Sequence, residues 1–163
     1  TMEGTKPFQL AVMTPPATEV RAGTHPEFEL RNARRVHGRD AIYTLQIAVY
    51  WRSDGEEPSA KELAEFREAA EKAAADLRRE GEEAYYSHGP RKSMVTVGVF
   101  NDKDYDVTPL KKNPLAVPNQ SARLLGLRAK YPYNLENGQA VRRTQAGANK
   151  GRIDPSFIVM IPE

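Results

Sequence analysis

The run from Ile42 to Trp51 leaves this chain the fewest choices. Tyr43, Leu45, Ile47, Val49 and Trp51 alternate with Thr44, Gln46, Ala48 and Tyr50, the period-2 pattern of an extended strand with one buried face. Such a strand needs neighbours to complete its backbone hydrogen bonds and an apolar layer against its buried face. Its other face carries the Gln46 amide and the Tyr50 phenol, groups that hydrogen-bond a polar ligand where that face is open.

The segment after it supplies the layer. Ser59 followed by Glu62 is a capping box: the hydroxyl accepts from an orphan backbone N–H and the carboxylate reaches back to the cap residue's own N–H. Leu63, Phe66, Ala70, Ala73, Ala74 and Leu77 then recur at helical spacing, a stripe of mostly small residues that lets a helix lie close to a sheet. Arg78 and Arg79 suit the negative end of the helix dipole, and Gly81 suits its C-terminal cap.

Two further strands follow, Glu83 to Ser87 and Ser93 to Phe100, joined by a turn at His88–Arg91. In the second, Val95, Val97 and Val99 are expected on one face, and Met94, Thr96, Gly98 and Phe100 on the other. Gly98 leaves room for close approach to the backbone. A proline-bearing connection, Asn101 to Pro118, leads to a helix starting at Asn119 or Ser121 and stopped by Pro132 after Lys130. Asn134 to Asp154 reads as an exposed basic loop, and Ser156 to Ile161 as the closing strand.

Before Ile42 the pattern is poor. Phe8–Met13 is a short apolar run suited to an edge strand, and Phe28 and Leu30 alternate with Glu27, Glu29 and Arg31, which suits another at Glu27–Arg31. The chain thus divides into an N-terminal arm, 1–41, and an α+β domain, 42–163, with insertions at 101–118 and 134–155. The order strand, helix, strand, strand, helix, strand is the ferredoxin-like split βαβ (βαββαβ) arrangement: a four-stranded antiparallel sheet with helices on one face and the other face open.

Residues within this frame resemble the SPOR (sporulation-related repeat) domain. Gln46 lies inside a first strand that ends in the aromatic Tyr50, the helix closes on Gly81, and the third strand carries Val97, Gly98 and Phe100. The resemblance covers about 60 of the 163 residues. It departs from the family at Val99, where a proline is usual, and in the stretched second half. It implies a non-catalytic bacterial cell-envelope module, extracytoplasmic, binding peptidoglycan glycan strands that lack stem peptides on the helix-free sheet face. The ligand-binding residues expected on that reading are Gln46, Tyr50, Tyr85, His88, Arg91, Thr96 and Phe100.

Composition limits the rivals. There is no cysteine, which excludes disulfides, thiolate catalysis and cysteine-rich zinc sites. No apolar run approaches the roughly 20 residues that span a bilayer, and no signal-peptide pattern follows Thr1; if the protein is exported or tethered, that segment lies outside these residues. Asp102, Asp104 and Asp106 open like a calcium loop, but Val107 stands where glycine is required and Asn113 where the bidentate glutamate belongs. His25, His37 and His88 lack metal-ligand spacing. Gly147 and Gly151 have neither the strand nor the helix of a phosphate loop. No cofactor, metal or catalytic constellation is expected.

Charge keeps two alternatives open. Ser53–Ser87 holds 11 acidic and 5 basic residues, whereas Val107–Glu163 holds 9 basic and 3 acidic. A basic flank beside a split βαβ sheet also suits RNA, although the third strand lacks that motif's lysine or arginine and its several aromatics. The irregular arm, together with 12 prolines and 11 glycines, also suits a structural subunit whose extensions wrap protein partners.

Overall fold

The computed structural model describes residues 25–140, 142–143 and 152–163. The expected strand at Phe8–Met13 and the glycines at 147 and 151 lie outside them. The elements are α1 (Ala33–His37), β1 (Tyr43–Tyr50), α2 (Ala60–Arg79), β2 (Ala84–His88), β3 (Ser93–Phe100), β4 (Tyr105–Asp106), α3 (Thr108–Lys112), β5 (Asn119–Gln120), α4 (Ala122–Lys130), β6 (Leu135–Glu136), β7 (Arg142–Arg143), β8 (Arg152–Ile153) and β9 (Phe157–Met160). The protein is α+β, and β1, α2, β2, β3, α4 and β9 fall in the expected order.

β1 is central. It pairs antiparallel with β3 along one edge, and β3 pairs antiparallel with β2. On the other edge β9 pairs antiparallel with Tyr43–Gln46 and β6 pairs parallel with Ala48–Val49. The sheet is therefore five-stranded and mixed, not purely antiparallel with four strands. The cause is β6, contributed by the segment expected to be an exposed loop: Asn134 and Glu136 are buried there.

The helices start and stop where their caps dictate. Ser59 accepts from the Glu62 N–H and Glu62 accepts from the Ser59 N–H, so the capping box is complete. Ser121 caps α4 through the Leu124 N–H. Ala70 and Ala74 of α2 and Leu124 of α4 join Leu45, Ile47, Val95, Val97 and Phe100 in one buried cluster. Each large apolar side chain enclosed there contributes about 1.5–3 kcal/mol.

Two bulges change which residues share that cluster. Tyr43 opposes Phe100 while Leu45 opposes Val97, so β3 carries one extra residue. That residue is Gly98, at φ +76°, a backbone region where only glycine sits without strain. The Thr44 hydroxyl donates to the Gly98 carbonyl at 2.7 Å and holds the bulge. Gln46 opposes Thr96 while Ala48 opposes Val95, so β1 carries an extra residue at Ile47–Ala48. Beyond each bulge the alternation inverts. Ala48 and Tyr50 turn to the helices, as does Phe100, and Val99 turns away from them.

The expected open face is covered. Leu30, Ala33 and Ala41 form a second buried cluster with Tyr85, Val99 and Ile161. Residues 26–32 are two short 3-10 turns instead of the expected strand at Glu27–Arg31, because Pro26 fixes a helical φ and Glu29 caps the second turn. Glu29 still makes an isolated parallel bridge to Tyr86 at the edge of β2. Arg34 donates to the carbonyls of Ile161 and Pro162, both at 3.1 Å, tying α1 to the segment after β9. Helical turns thus lie on both faces, not on one.

Candidate functional site

The seven residues expected to make one ligand surface do not come together in one place. Gln46, Thr96 and Tyr85 share the face turned away from α2, in register across β1, β3 and β2. All three are buried, at 6%, 0% and 2% exposure. The Gln46 amide donates to Asn134 Oδ1 at 3.2 Å, and the Tyr85 hydroxyl donates to Glu83 Oε2 at 2.6 Å under the Arg78 guanidinium, 4.7 Å from the ring centroid. Burial and then the Glu83 carboxylate push the Tyr85 phenol up to about 12. These are interior residues, and the expected sheet-face platform is not open.

Phe100 and His88 face the helices. Phe100 is 1% exposed, with Arg123 stacked 4.6 Å from its centroid. The His88 ring is clasped between Glu71 Oε2 on α2 and Ser93 Oγ on β3, both at 2.8 Å. Serine, histidine and glutamate in a row resemble a hydrolytic relay, but Ser93 is 1% exposed and the His88 side chain 3%, so no substrate carbonyl reaches them. The row clamps α2 to the sheet. Arg91 is exposed on the β2–β3 turn, where it pairs with Glu57 at 2.8 Å and donates to the Gly55 carbonyl at 2.7 Å.

Tyr50 leads to an open site. It is half-buried in a cleft of about 440 Å³ between the C-terminal half of α2 and residues 130–135. The bulge in β1 brings Ile47 and Ala48 together as its floor, with Val95 and Leu135 beside them. Tyr50, Tyr131 and Tyr133 stand around that floor, and Asp76, Glu80 and Lys130 line it with charge. Tyr131 donates to Glu82 Oε2 at 2.6 Å and Lys130 pairs with the same carboxylate at 2.7 Å. Those two partners hold the Glu82 carboxyl below its usual range. Tyr133 is free to meet a ligand at 43% exposure.

The position of α4 makes the cleft. Its Leu127 packs against Gly98, whose missing side chain leaves that space. This draws the nine-residue helix toward the Gly98–Phe100 end of β3, and the cleft lies over Ile47 and Ala48. Tyr131 and Tyr133 were not among the expected site residues. Their signal is an aromatic pair flanking the helix-stopping Pro132, which marks a turn with two large side chains presented together.

Among the described residues no group of His, Asp or Glu could hold a metal ion, and no helix is long and apolar enough to cross a membrane. Comparison with protein-family models, curated proteins and solved structures finds no match for this chain.

Proposed function

We propose that this chain is a non-catalytic binding module for peptidoglycan glycan strands at a bacterial cell surface, with the sugar seated in the tyrosine cleft and not on the sheet face turned away from α2. The supporting observation is the cleft lined by Tyr50, Tyr131 and Tyr133 over an apolar floor. A pyranose presents C–H faces that stack on aromatic rings and hydroxyls around its equator. The first suit the tyrosines. The second suit Asp76, Glu80 and Lys130. The SPOR-like motif in β1, α2 and β3 supplies the glycan class, and the α+β frame is compatible with it.

The test is co-sedimentation with purified sacculi before and after amidase removal of stem peptides. Binding to the denuded glycan, reduced at least ten-fold in Tyr133→Ala, is expected. No co-sedimentation of the wild-type protein with denuded glycan overturns the reading.

A second reading is an assembly subunit. Leu115 and Val117 are 91% and 72% exposed on the insertion between β4 and β5, and apolar side chains so presented suit a protein partner. A concentration-dependent oligomer that dissociates in Leu115→Asp, with no glycan bound, would favour it. RNA binding through a split βαβ sheet needs bases stacked on sheet aromatics, and Tyr85 and Phe100 are enclosed.

A further inference from the structure

A second cavity, of about 290 Å³, opens where the acidic loop after β1 meets the β2–β3 turn. Trp51 and Pro90 give it flat apolar walls, and Gly55 and Gly89 line it without side chains. Its charged groups are unequal. The Arg52 guanidinium is held by Asp54 at 2.5 Å and Glu62 at 3.3 Å, and Arg91 by Glu57 at 2.8 Å. Lys92 lines the cavity, is exposed, and makes no ion pair among the described residues.

From this arrangement we infer a second sugar subsite, one that reads an acidic sugar: a pyranose ring stacked on the Trp51 indole with its carboxylate on the Lys92 ammonium. The inference rests on the glycan reading above and extends it. Trp51 follows Tyr50 directly, and its indole N–H donates to Glu136 Oε1 at 3.1 Å, next to the cleft residue Leu135. Cavity and cleft therefore flank the same end of β1. The indole is held in place by that bond before any ligand arrives, and a fixed aromatic wall loses little entropy on binding. Glu56, exposed in the same lining, supplies an acceptor for hydroxyl or amide hydrogens. Lys92 is the one cation of this lining outside an ion pair among the described residues, so it is the group that takes one negative charge per sugar. In a glycan freed of stem peptides that charge is the lactyl carboxylate of alternate sugars.

Trp51 is the only tryptophan of the chain, so its emission reports occupancy of this cavity directly. The experiment titrates the protein with two oligosaccharides of equal length: denuded peptidoglycan tetrasaccharide, carrying carboxylates, and the uncharged N-acetylglucosamine tetramer. Calorimetry and Trp51 emission are read together. The denuded tetrasaccharide is expected to bind with a change in Trp51 emission. Lys92→Gln should weaken it about five-fold, the upper end for an exposed charge pair, while leaving the uncharged tetramer unchanged. Calorimetric binding with unaltered Trp51 emission, or equal losses for both sugars in Lys92→Gln, overturns this subsite and leaves the tyrosine cleft standing. Absence of binding by either sugar overturns both.

Discussion

Replacing Gly98 with alanine should be among the most damaging single substitutions available in this fold. Gly98 sits at φ +76°; an L-residue there costs about 1–2 kcal/mol from its own Cβ against the backbone. The new methyl would also stand 2.7 Å from Leu127 Cδ2 and 2.7 Å from the Phe100 ring, closer than packed carbons approach. Overpacking of this kind adds about 1–3 kcal/mol, so Gly98→Ala should lose about 2–5 kcal/mol. That is a large part of the 5–15 kcal/mol typical of a folded domain. Urea denaturation followed by far-UV circular dichroism measures it, with the midpoint falling and the slope unchanged. The two causes separate in a cycle with Leu127→Ala. That change relieves one contact and leaves the backbone cost, so the pair should show a coupling of about 1 kcal/mol or more. A loss below about 0.5 kcal/mol in Gly98→Ala would refute both the bulge and the docking of α4 against it.

Thr96 is fully buried with a hydroxyl that has no partner among the described residues. Thr96→Val should therefore be neutral or stabilising by up to about 1 kcal/mol in the same urea assay, and should leave glycan co-sedimentation intact; impaired binding would restore the sheet face as a ligand surface. Ser59→Ala removes the cap of α2 and should cost about 1 kcal/mol, read as a lower urea midpoint. For His88, burial holds the imidazole below its ordinary 6.5 against the raising pull of Glu71, with Arg67 adding to the depression. The unfolded chain then binds that proton more readily than the folded one. Stability is full above pH 6.5 and falls as the pH drops below it toward the depressed value. His88→Gln should flatten urea midpoints across that window, leaving the later loss as the carboxylates of Glu62, Glu82 and Asp104, all held low in the fold, take up protons.

Elements with a chemical signature were legible in the sequence. Ser59 and Glu62 placed the start of α2, Ser121 is the cap of α4, and the valines of Ser93–Phe100 gave β3 its exact span. Face assignment was not legible past the bulges. A period-2 pattern assumes an uninterrupted ladder, and the extra residues at Ile47–Ala48 and Gly98 invert it. Tyr50 and Phe100 thereby left the face assigned to them, and Gln46 and Thr96 stayed. Gly98 hinted at such an event, since a strand glycine marks bulges as readily as close approach; nothing comparable marks Ile47. β6 was hidden for a different reason: two residues carry no periodicity, and Leu135–Glu136 pairs only because β9 leaves the end of β1 free.

The same interruptions explain why an open site lies among the helices. A regular β1 would direct Ala48 and Tyr50 away from α2, and the arm residues Leu30 and Ala33 close the face turned that way. The bulge redirects both side chains to the helix side. There α4 is held against Gly98 and meets the cleft only through its last residue, Lys130. The stretch after α4 then turns at Pro132 and returns through β6, which carries Tyr131 and Tyr133 to the rim. Insertion of β6 and coverage by the arm are thus two halves of one rearrangement: one sheet face becomes interior, and the helix layer opens over the end of β1. A ligand surface carried on Gln46, Thr96 and Tyr85 would require Leu30, Ala33 and Ala41 to leave the cluster they form with Tyr85 and Val99 and expose those side chains. Each such side chain costs about 1.5–3 kcal/mol to expose, whereas the tyrosine cleft needs no part of the fold to move.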